Sequence, residues 1–355
     1  MAARFSERSA ARYTLSVPAP PYPGIVCAGL LVALLMTACQ SMAPPVAAPK
    51  GSPGFDSLRV VTLNAGSGRS VENVQGDNAG FGSAQAETAD RWYGNGLAWP
   101  AVVRDVQAFL YAVDADIVAL QEVFYSAQCG DIPAKARQGF ICEDWQPGDT
   151  TVAERLLGEA YQLACHPGKP DKCLGVHRRL GYIDGCADAF CPAGLEGLDD
   201  AGCGSGNRVA AATVQLAMGG SLRVVHLHGT SGLTRADAGC RLGQVEAAFA
   251  DGAAAPEFGL VLGDFNTDPG RVAWLDPAAR ALRRFTRPPG NYRFMTAVGL
   301  FAAPTFLSFL NIDHVLAAGM RGDCRAAGRT PGLPAVSDIV SLDHTAIVCD
   351  LRTLQ

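Results

Sequence analysis

The 355-residue chain lacks the basic footprint that tight, sequence-independent nucleic-acid binding usually leaves. Its formal charge is −5; residues 1–55 contribute +3, from Arg4, Arg8, Arg12 and Lys50 against Glu7, so residues 56–355 carry −8. That balance argues mildly against a tight DNA binder, while a metal-assisted nuclease that only has to turn over can be acidic. Local basic groups exist at His177-Arg178-Arg179 and among Arg280, Arg283, Arg284, Arg287 and Arg293, and each is equally readable as a solvated face. No internal repeat is visible. No pair of Cys-x-x-Cys clusters has the spacing of a zinc site, so the cysteines point to disulfides.

The apolar run Ile25–Ala38 is too short to span a bilayer comfortably, and it follows the basic residues Arg4, Arg8 and Arg12 and ends at Cys39. Residues 1–39 therefore read as an export signal. Leu35-Met36-Thr37-Ala38-Cys39 resembles a bacterial lipoprotein box, in which Cys39 is lipidated and becomes the mature N-terminus; Met36 is a poorer match than the usual aliphatic, which leaves cleavage near Ala38 or an uncleaved anchor as alternatives. Residues 40–55, with Pro44, Pro45, Pro49 and Pro53, read as a flexible tether. The expected location is the cell envelope, as an outer-membrane lipoprotein facing the periplasm or the surface. The membrane would be a partner through Cys39, and no protein partner is expected.

An oxidising compartment agrees with cysteine usage. Outside the leader the chain holds ten cysteines, an even number, and seven of them fall between residues 129 and 203 in a stretch rich in Gly, Pro and Asp. The stretch reads as a disulfide-stapled insertion rather than core. Residues 56–355 are long enough for one large domain with a sizeable core.

Within that domain, apolar strands alternate with helical stripes. Residues 99–113 place apolar side chains at 102, 103, 106, 109, 110 and 113 behind Pro100, a helix; Asp149–Tyr161 and Asp237–Ala250 repeat the pattern. Met218-Gly-Gly-Ser221 joins Val209–Leu216 to Leu222–His228 as a hairpin turn. The strands share one property, a polar end. Leu58–Asn64 ends in Asn64, Ala115–Val123 carries Gln121-Glu122, Leu222–His228 ends in His228, and Phe258–Pro269 carries Gly263-Asp264-Phe265-Asn266. Ile312-Asp313-His314-Val315 and Ser341-Leu342-Asp343-His344 each open a further apolar strand. Asp264 and Asn266, two apart, would point the same way from a strand, although Asp and Asn after a strand are also ordinary turn formers. A carboxylate able to take a proton from water beside an amide able to hold it is a usable hydrolytic pair.

In this ordered set the chain resembles the endonuclease/exonuclease/phosphatase superfamily from about Leu58 to Leu351, the group that contains pancreatic-type deoxyribonucleases, neutral sphingomyelinases and inositol-polyphosphate phosphatases. The resemblance implies a four-layer α/β/β/α sandwich of two packed mixed β-sheets, with strand ends from both sheets meeting at one cleft. It implies Mg²⁺, with Mn²⁺ or Ca²⁺ as alternatives, held by Glu122, Asn64 and Asp343, hard oxygen donors of the kind Mg²⁺ takes. Asp264 would activate water, Asn266 would orient it or grip a phosphate oxygen, and His344 would donate to the phosphate with Asp313 holding its imidazole. His228 falls at the family's catalytic histidine, with His226 as a hydrogen-bonded strand residue and His314 as structural. Asn207 and Arg208, with Arg235, are candidate substrate contacts, each open to being plain surface charge. Two residues depart from the pattern: Leu342 stands where Ser is usual, and Gly229 where an apolar residue is common. The expected substrate is a phosphodiester, nucleic acid favoured over phospholipid, with a non-catalytic binding module as the reading of another class. Thr296–Leu310 is strongly apolar; it reads as a buried strand with a loop, against an exposed, membrane-touching hairpin of the sphingomyelinase kind. Cys324 and Cys349 would pair, because the strands opening at Asp313 and Asp343 should lie side by side.

Overall fold

The computed structural model describes residues 55–66, 83–94, 97–198, 203–204, 206–253, 258–307, 309–337 and 342–354. The leader, Cys39 and residues 40–54 of the tether lie outside the described residues. In chain order, β1 (Ser57–Asn64) precedes α1 (Ser83–Tyr93), α2 (Pro100–Val113), β2 (Ile117–Gln121), α3 (Ala134–Arg137) and α4 (Val152–Leu157). There follow β3 (Tyr161–His166), β4 (Lys169–His177), β5 (Gly181–Ile183), β6 (Phe190–Cys191), β7 (Glu196–Gly197), β8 (Val209–Leu216) and β9 (Ser221–His228). The rest comprises α5 (Arg235–Ala253), β10 (Gly259–Asp264), α6 (Pro277–Phe285), β11 (Arg293–Phe294), β12 (Asp313–Ala318), β13 (Met320–Ala326) and β14 (Ile347–Thr353).

These strands make two sheets, in the orders β13-β14-β1-β2-β4-β3-β6 and β11-β12-β10-β9-β8-β5, with β7 on β8. Period-2 alternation sorts their side chains into layers. Val60, Ile117 and Ala119 face Val224, Leu260, Leu262 and Val315 between the sheets. Their neighbours Val61, Val118 and Leu120 face the other way, onto Val102, Val106 and Phe109 of α2 and Leu156 of α4. Val225, Val261 and Leu316 pack outward against Val245 and Phe249 of α5 and Leu282 of α6. Three apolar layers between four structural ones give the expected α/β/β/α sandwich, and burial on both faces explains why the central strands read as continuous apolar runs.

Register brings the polar ends together. β1 and β2 are parallel with Asn64 opposite Gln121, β9 and β10 are parallel with His228 opposite Asp264, and antiparallel β12 sets Asp313 opposite Asp264.

Four expectations change. The stretch 129–203 is stapled, by Cys129–Cys142, Cys165–Cys173 and Cys186–Cys191, yet it also supplies β3 and β4, whose Leu163, Cys165, Cys173 and Leu174 are fully or almost fully buried; Cys203 pairs outward with Cys240 of α5. The helix expected over Asp149–Tyr161 is only Val152–Leu157, opened by the Thr151/Glu154 capping box and closed by Gly158 at φ 69°, after which Tyr161 starts β3. Thr296–Leu310 is not a buried strand: Leu300 and Phe301 are 65% and 96% exposed in a loop between β11 and β12. That loop is held instead by Thr305, whose hydroxyl accepts from the backbone of Ile312 and Asp313. Asp343 and His344 precede β14 rather than opening it, in a segment anchored where Thr345 N donates to Thr305 O at 2.7 Å. Cys324 and Cys349 are bonded, as expected, but not for the expected reason: β12, the strand opening at Asp313, lies in the other sheet from β14, and Cys324 reaches Cys349 from β13, which follows β12 and pairs with β14.

Candidate active site

Asp264, 1% exposed, ends β10 at the centre of the strand-end row. Its Oδ1 accepts from Asn266 N at 2.7 Å, and its Oδ2 accepts from Asn64 Nδ2 and Asn266 Nδ2, both at 3.1 Å. Asn266 does not share a strand face with Asp264, because β10 ends at Asp264 and Asn266 turns back in the left-handed region at φ 50°, a conformation Asn tolerates. The two side chains converge nonetheless, and Asn266 Nδ2 also reaches Gly229 O at 2.9 Å. Gly229 has a steric reason for departing from the family pattern: a Cβ there would lie 2.5 Å from Phe265 O.

Two imidazoles approach the same oxygen. His344 Nε2 lies 3.7 Å and His228 Nε2 3.6 Å from Asp264 Oδ2, and His228 Nε2 is also 3.5 Å from Glu122 Oε1. They are tuned in opposite directions. Burial would lower His344, but Asp313, Asp264 and Asp343 outweigh it, helped by the 2.9 Å bond that His344 Nδ1 donates to Asp313 Oδ2, and it is pushed up to about 10. His228 is held well below its ordinary value, first by burial and then by the positive charges of Lys172 and Arg208. Asp264 is pushed up to about 7 by burial, against the lowering effect of His344 and of the Asn266 and Asn64 hydrogen bonds. Near neutral pH the site thus holds a cationic His344, a neutral His228 and a carboxyl poised to exchange a proton.

The oxygen donors beside this group fit a hard divalent cation. A Cβ on Gly66 would lie 2.3 Å from Glu122 Oε2 and 3.1 Å from Asn64 Oδ1, so the glycine keeps open a space lined by these two ligand-type atoms. Asp343 N approaches Gly66 O at 3.3 Å, and Asp343 Oδ1 is buried without a hydrogen-bond partner. Burial raises Asp343 to about 6, with His344 opposing and Glu122 adding to the rise. Unspent carboxylate oxygen at a space bounded by another carboxylate and an amide is the chemistry Mg²⁺ or Ca²⁺ accepts. Asp264, Asp313 and His344 also bring ligand-type atoms within 4.8 Å of one another, but His344 Nδ1 is already bonded to Asp313, which makes the group an acid–base cluster first.

The remaining expected residues divide. Arg208 sits at the rim, its Nη1 3.4 Å from His228 O. Asn207, the preceding residue, has its carbonyl 3.2 Å from His166 Nδ1 and its side chain against Gly197. Arg235 is exposed at the first residue of α5. His314 faces away, bonded to Thr296 Oγ1 at 3.1 Å between Phe265 and Phe294.

His226 belongs to a buried chain that crosses from one sheet to the other: Gln121 Nε2 to His226 Nε2 at 2.6 Å, His226 Nδ1 to His166 Nε2 at 3.0 Å, and His166 Nδ1 to Asn207 O. One set of neutral tautomers satisfies every link, with the Gln121 amide, His226 Nδ1 and His166 Nδ1 each donating forward. Burial, foremost, pushes His166 down to about 3 and His226 well below its usual value, as the neutral chain requires. His166 and Lys172 escaped sequence reasoning. Lys172 is 2% exposed and paired with Asp171; a lysine inside β4 carried no motif, and its only signal was an uninterrupted charge between Asp171 and the apolar Cys173-Leu174.

A family profile described as Endonuclease/Exonuclease/phosphatase family matches residues 61–338. Among solved structures, the chain is similar to an endonuclease/exonuclease/phosphatase from Beutenbergia cavernae at 16% identity and TM-score 0.52, covering 84% of this chain and 72% of that one. It is also similar to the human Nocturnin catalytic domain with bound sulfate, at 17% identity and TM-score 0.49, covering 84% and 94%. For D. rerio TDP2 complexed with a single-strand DNA product the values are 13%, 0.48, 84% and 100%. No curated protein sequence matches the chain.

Proposed function

Because the chain belongs to the Endonuclease/Exonuclease/phosphatase family, whose members typically hydrolyse phosphodiester bonds with a divalent metal, we propose that it is a metal-dependent phosphodiesterase. The carrying observation is Asp264 Oδ2, on which Asn64, Asn266, His228 and His344 converge from separate strand ends of both sheets. Asp264 takes a proton from water, and Asn266, bonded to both of its oxygens, fixes the carboxylate in the accepting orientation. His344, kept charged by Asp313, presents Nε2 as donor to a phosphoryl or leaving oxygen. His228, kept neutral, holds a hydrogen-bonding position without adding charge beside Glu122. Glu122, Asn64 and Asp343 would hold Mg²⁺, or Mn²⁺ or Ca²⁺ in its place, which would supply charge neutralisation and Lewis acidity. Arg208, with Asn207 behind it, faces the substrate's phosphates.

Nucleic acid is the favoured substrate, since two of the three activities in the family's description act on it. One observation favours phospholipid as a second reading. Leu300, Phe301 and Phe309 are exposed on the loop whose Phe306 packs 4.8 Å from the His344 ring, and Trp274 and Leu275 are exposed on the neighbouring loop, joined to it through Arg271 Nη2 and Ala302 O. The proposed setting is the cell envelope, with Cys39 as lipid anchor. Purified protein with Mg²⁺, assayed side by side on plasmid DNA, single-stranded oligonucleotides and sphingomyelin vesicles, tests the proposal. Cleavage of the nucleic acids is expected; hydrolysis of the vesicles alone would transfer the assignment to phospholipid, and activity on none would refute it.

A further inference from the structure

Glu122 also lines a cavity of about 360 Å³ that the chemistry above leaves unused. Its size falls within the roughly 300–1,000 Å³ of ordinary ligand pockets. The walls are aromatic: Trp92 and Tyr93 at the end of α1, and Phe124 and Tyr125 just after β2. Two of these rings are fixed as the floor. Tyr93 stacks on Phe140 at 4.7 Å, meets Phe124 edge-on at 4.8 Å and donates its hydroxyl to Ala136 O at 2.9 Å. Trp92 and Tyr125 are half-buried and keep ring surface open, with the Arg91 guanidinium 5.0 Å over the Trp92 ring. The polar lining is Gln128, Lys169 and Asp171, an amide, a cation and a carboxylate.

We propose that this cavity is the subsite for the nucleobase next to the scissile phosphate, so that the enzyme acts on single-stranded or opened nucleic acid. The inference rests on the phosphodiesterase reading. Glu122 belongs both to the cavity lining and to the cation site, which sets an occupant of the cavity directly beside the reacting phosphate. A planar base suits the open ring surface of Trp92 and Tyr125 over a floor that Tyr93 and Phe124 hold rigid, and the amide, ammonium and carboxylate offer both donors and acceptors to its edge. Lys169 in the lining and Arg91 over the Trp92 ring supply positive charge for the phosphates on either side of the base. A base inside a duplex is covered on both faces, so occupancy requires it to be unstacked.

The test compares cleavage of a single-stranded oligonucleotide with that of the same strand carrying an abasic site at each position flanking one phosphate. Wild type should cleave the intact strand at least about tenfold faster than the strand abasic on one defined side, the scale of a single base–aromatic stack. Tyr125→Leu should lower the intact rate far more than the abasic rate, bringing the ratio of the two close to one. Equal wild-type rates on intact and abasic strands, or a Tyr125→Leu loss that is the same on both, would overturn the proposal. Binding is read separately from catalysis by tryptophan fluorescence with EDTA present: the intact strand should quench, the abasic strand should quench less, and Trp92→Phe should abolish the difference. Base-dependent quenching without any cleavage would leave the subsite standing and refute the reaction, whereas cleavage without base dependence would do the reverse.

Discussion

His226 and His228 sit two residues apart on one strand, and the structure separates them by what each touches. Replacing His226 with Leu keeps an apolar side chain of similar bulk in the inter-sheet space but takes the partner from His166 Nε2 and leaves Gln121 Nε2 with Thr62 Oγ1 at 3.3 Å, all on fully buried residues. Orphaning one buried polar group costs roughly 1–3 kcal/mol, so the variant should lose at least about that much of the 5–15 kcal/mol typical of a domain. His228→Leu removes a ring whose Nδ1 has no hydrogen-bond partner and whose Nε2 stands 3.5–3.6 Å from two carboxylates, so its cost in stability should stay below about 1 kcal/mol. Turnover should reverse the order, with His228→Leu losing on the order of 10²-fold and the folded fraction of His226→Leu retaining most of its activity. Urea unfolding at pH 7.5, paired with hydrolysis of bis-p-nitrophenyl phosphate, measures both. A His226→Leu protein as stable as wild type, or one that loses more turnover than His228→Leu while folded, would refute the assignment.

The pH profile should be a bell. Asp264 must be ionised to take a proton, and burial raises it to about 7, so activity climbs as pH rises to that value; His344 must be protonated to donate and stands at about 10, so activity falls above it. A rate independent of pH between 6 and 8, measured on bis-p-nitrophenyl phosphate, would contradict the roles given to these groups. Phe301→Asp should leave the melting temperature within about a degree of wild type, since the ring is 96% exposed; unfolding of this variant would show that the loop is packed. If the variant instead loses binding to sphingomyelin vesicles that wild type possesses, phospholipid gains over nucleic acid. Replacing both Cys324 and Cys349 by Ala removes a bridge that spans 25 residues, and loop entropy puts the loss at roughly 3–4 kcal/mol. Non-reducing peptide mapping of the wild type should return the Cys324–Cys349 peptide pair, and either cysteine found free would contradict the fold's edge.

Where the sequence repeated one physical pattern, its reading matched the structure. A short, largely apolar run closed by a polar residue marked β1, β2, β9 and β10, because strands buried on both faces admit few polar side chains between their ends, and those, such as Thr62 and His226, are hydrogen-bonded. β3 and β4 did not follow that pattern. Tyr161-Gln-Leu-Ala-Cys-His166 mixes polar with apolar residues, since Gln162 is spent on the backbone of Ile183 and Cys186 and His166 on the inter-sheet chain, and disulfide cysteines masked the rest. Thr296–Leu310 misled in the opposite sense. Hydrophobic content alone does not bury a loop, and Gly299 and Pro304 interrupt any strand while Thr305, a polar residue, does the anchoring. Within the site, Asp264 and Asn266 converge by a left-handed turn rather than by strand alternation, and the buried relay of Gln121, His226 and His166 joins residues up to 105 positions apart, a placement no local pattern encodes.

Asp264, set among Asn64, Asn266, His228 and His344, is proposed to take the proton in a metal-dependent hydrolysis. Turnover of bis-p-nitrophenyl phosphate by wild type and by Asp264→Asn, each with Mg²⁺ and with EDTA, tests it most directly. Wild type should hydrolyse this diester only with Mg²⁺, and Asp264→Asn should fall by at least about 10²-fold while its circular dichroism and urea midpoint show a folded protein. Wild-type rates in folded Asp264→Asn, or equal rates with and without Mg²⁺, would contradict it.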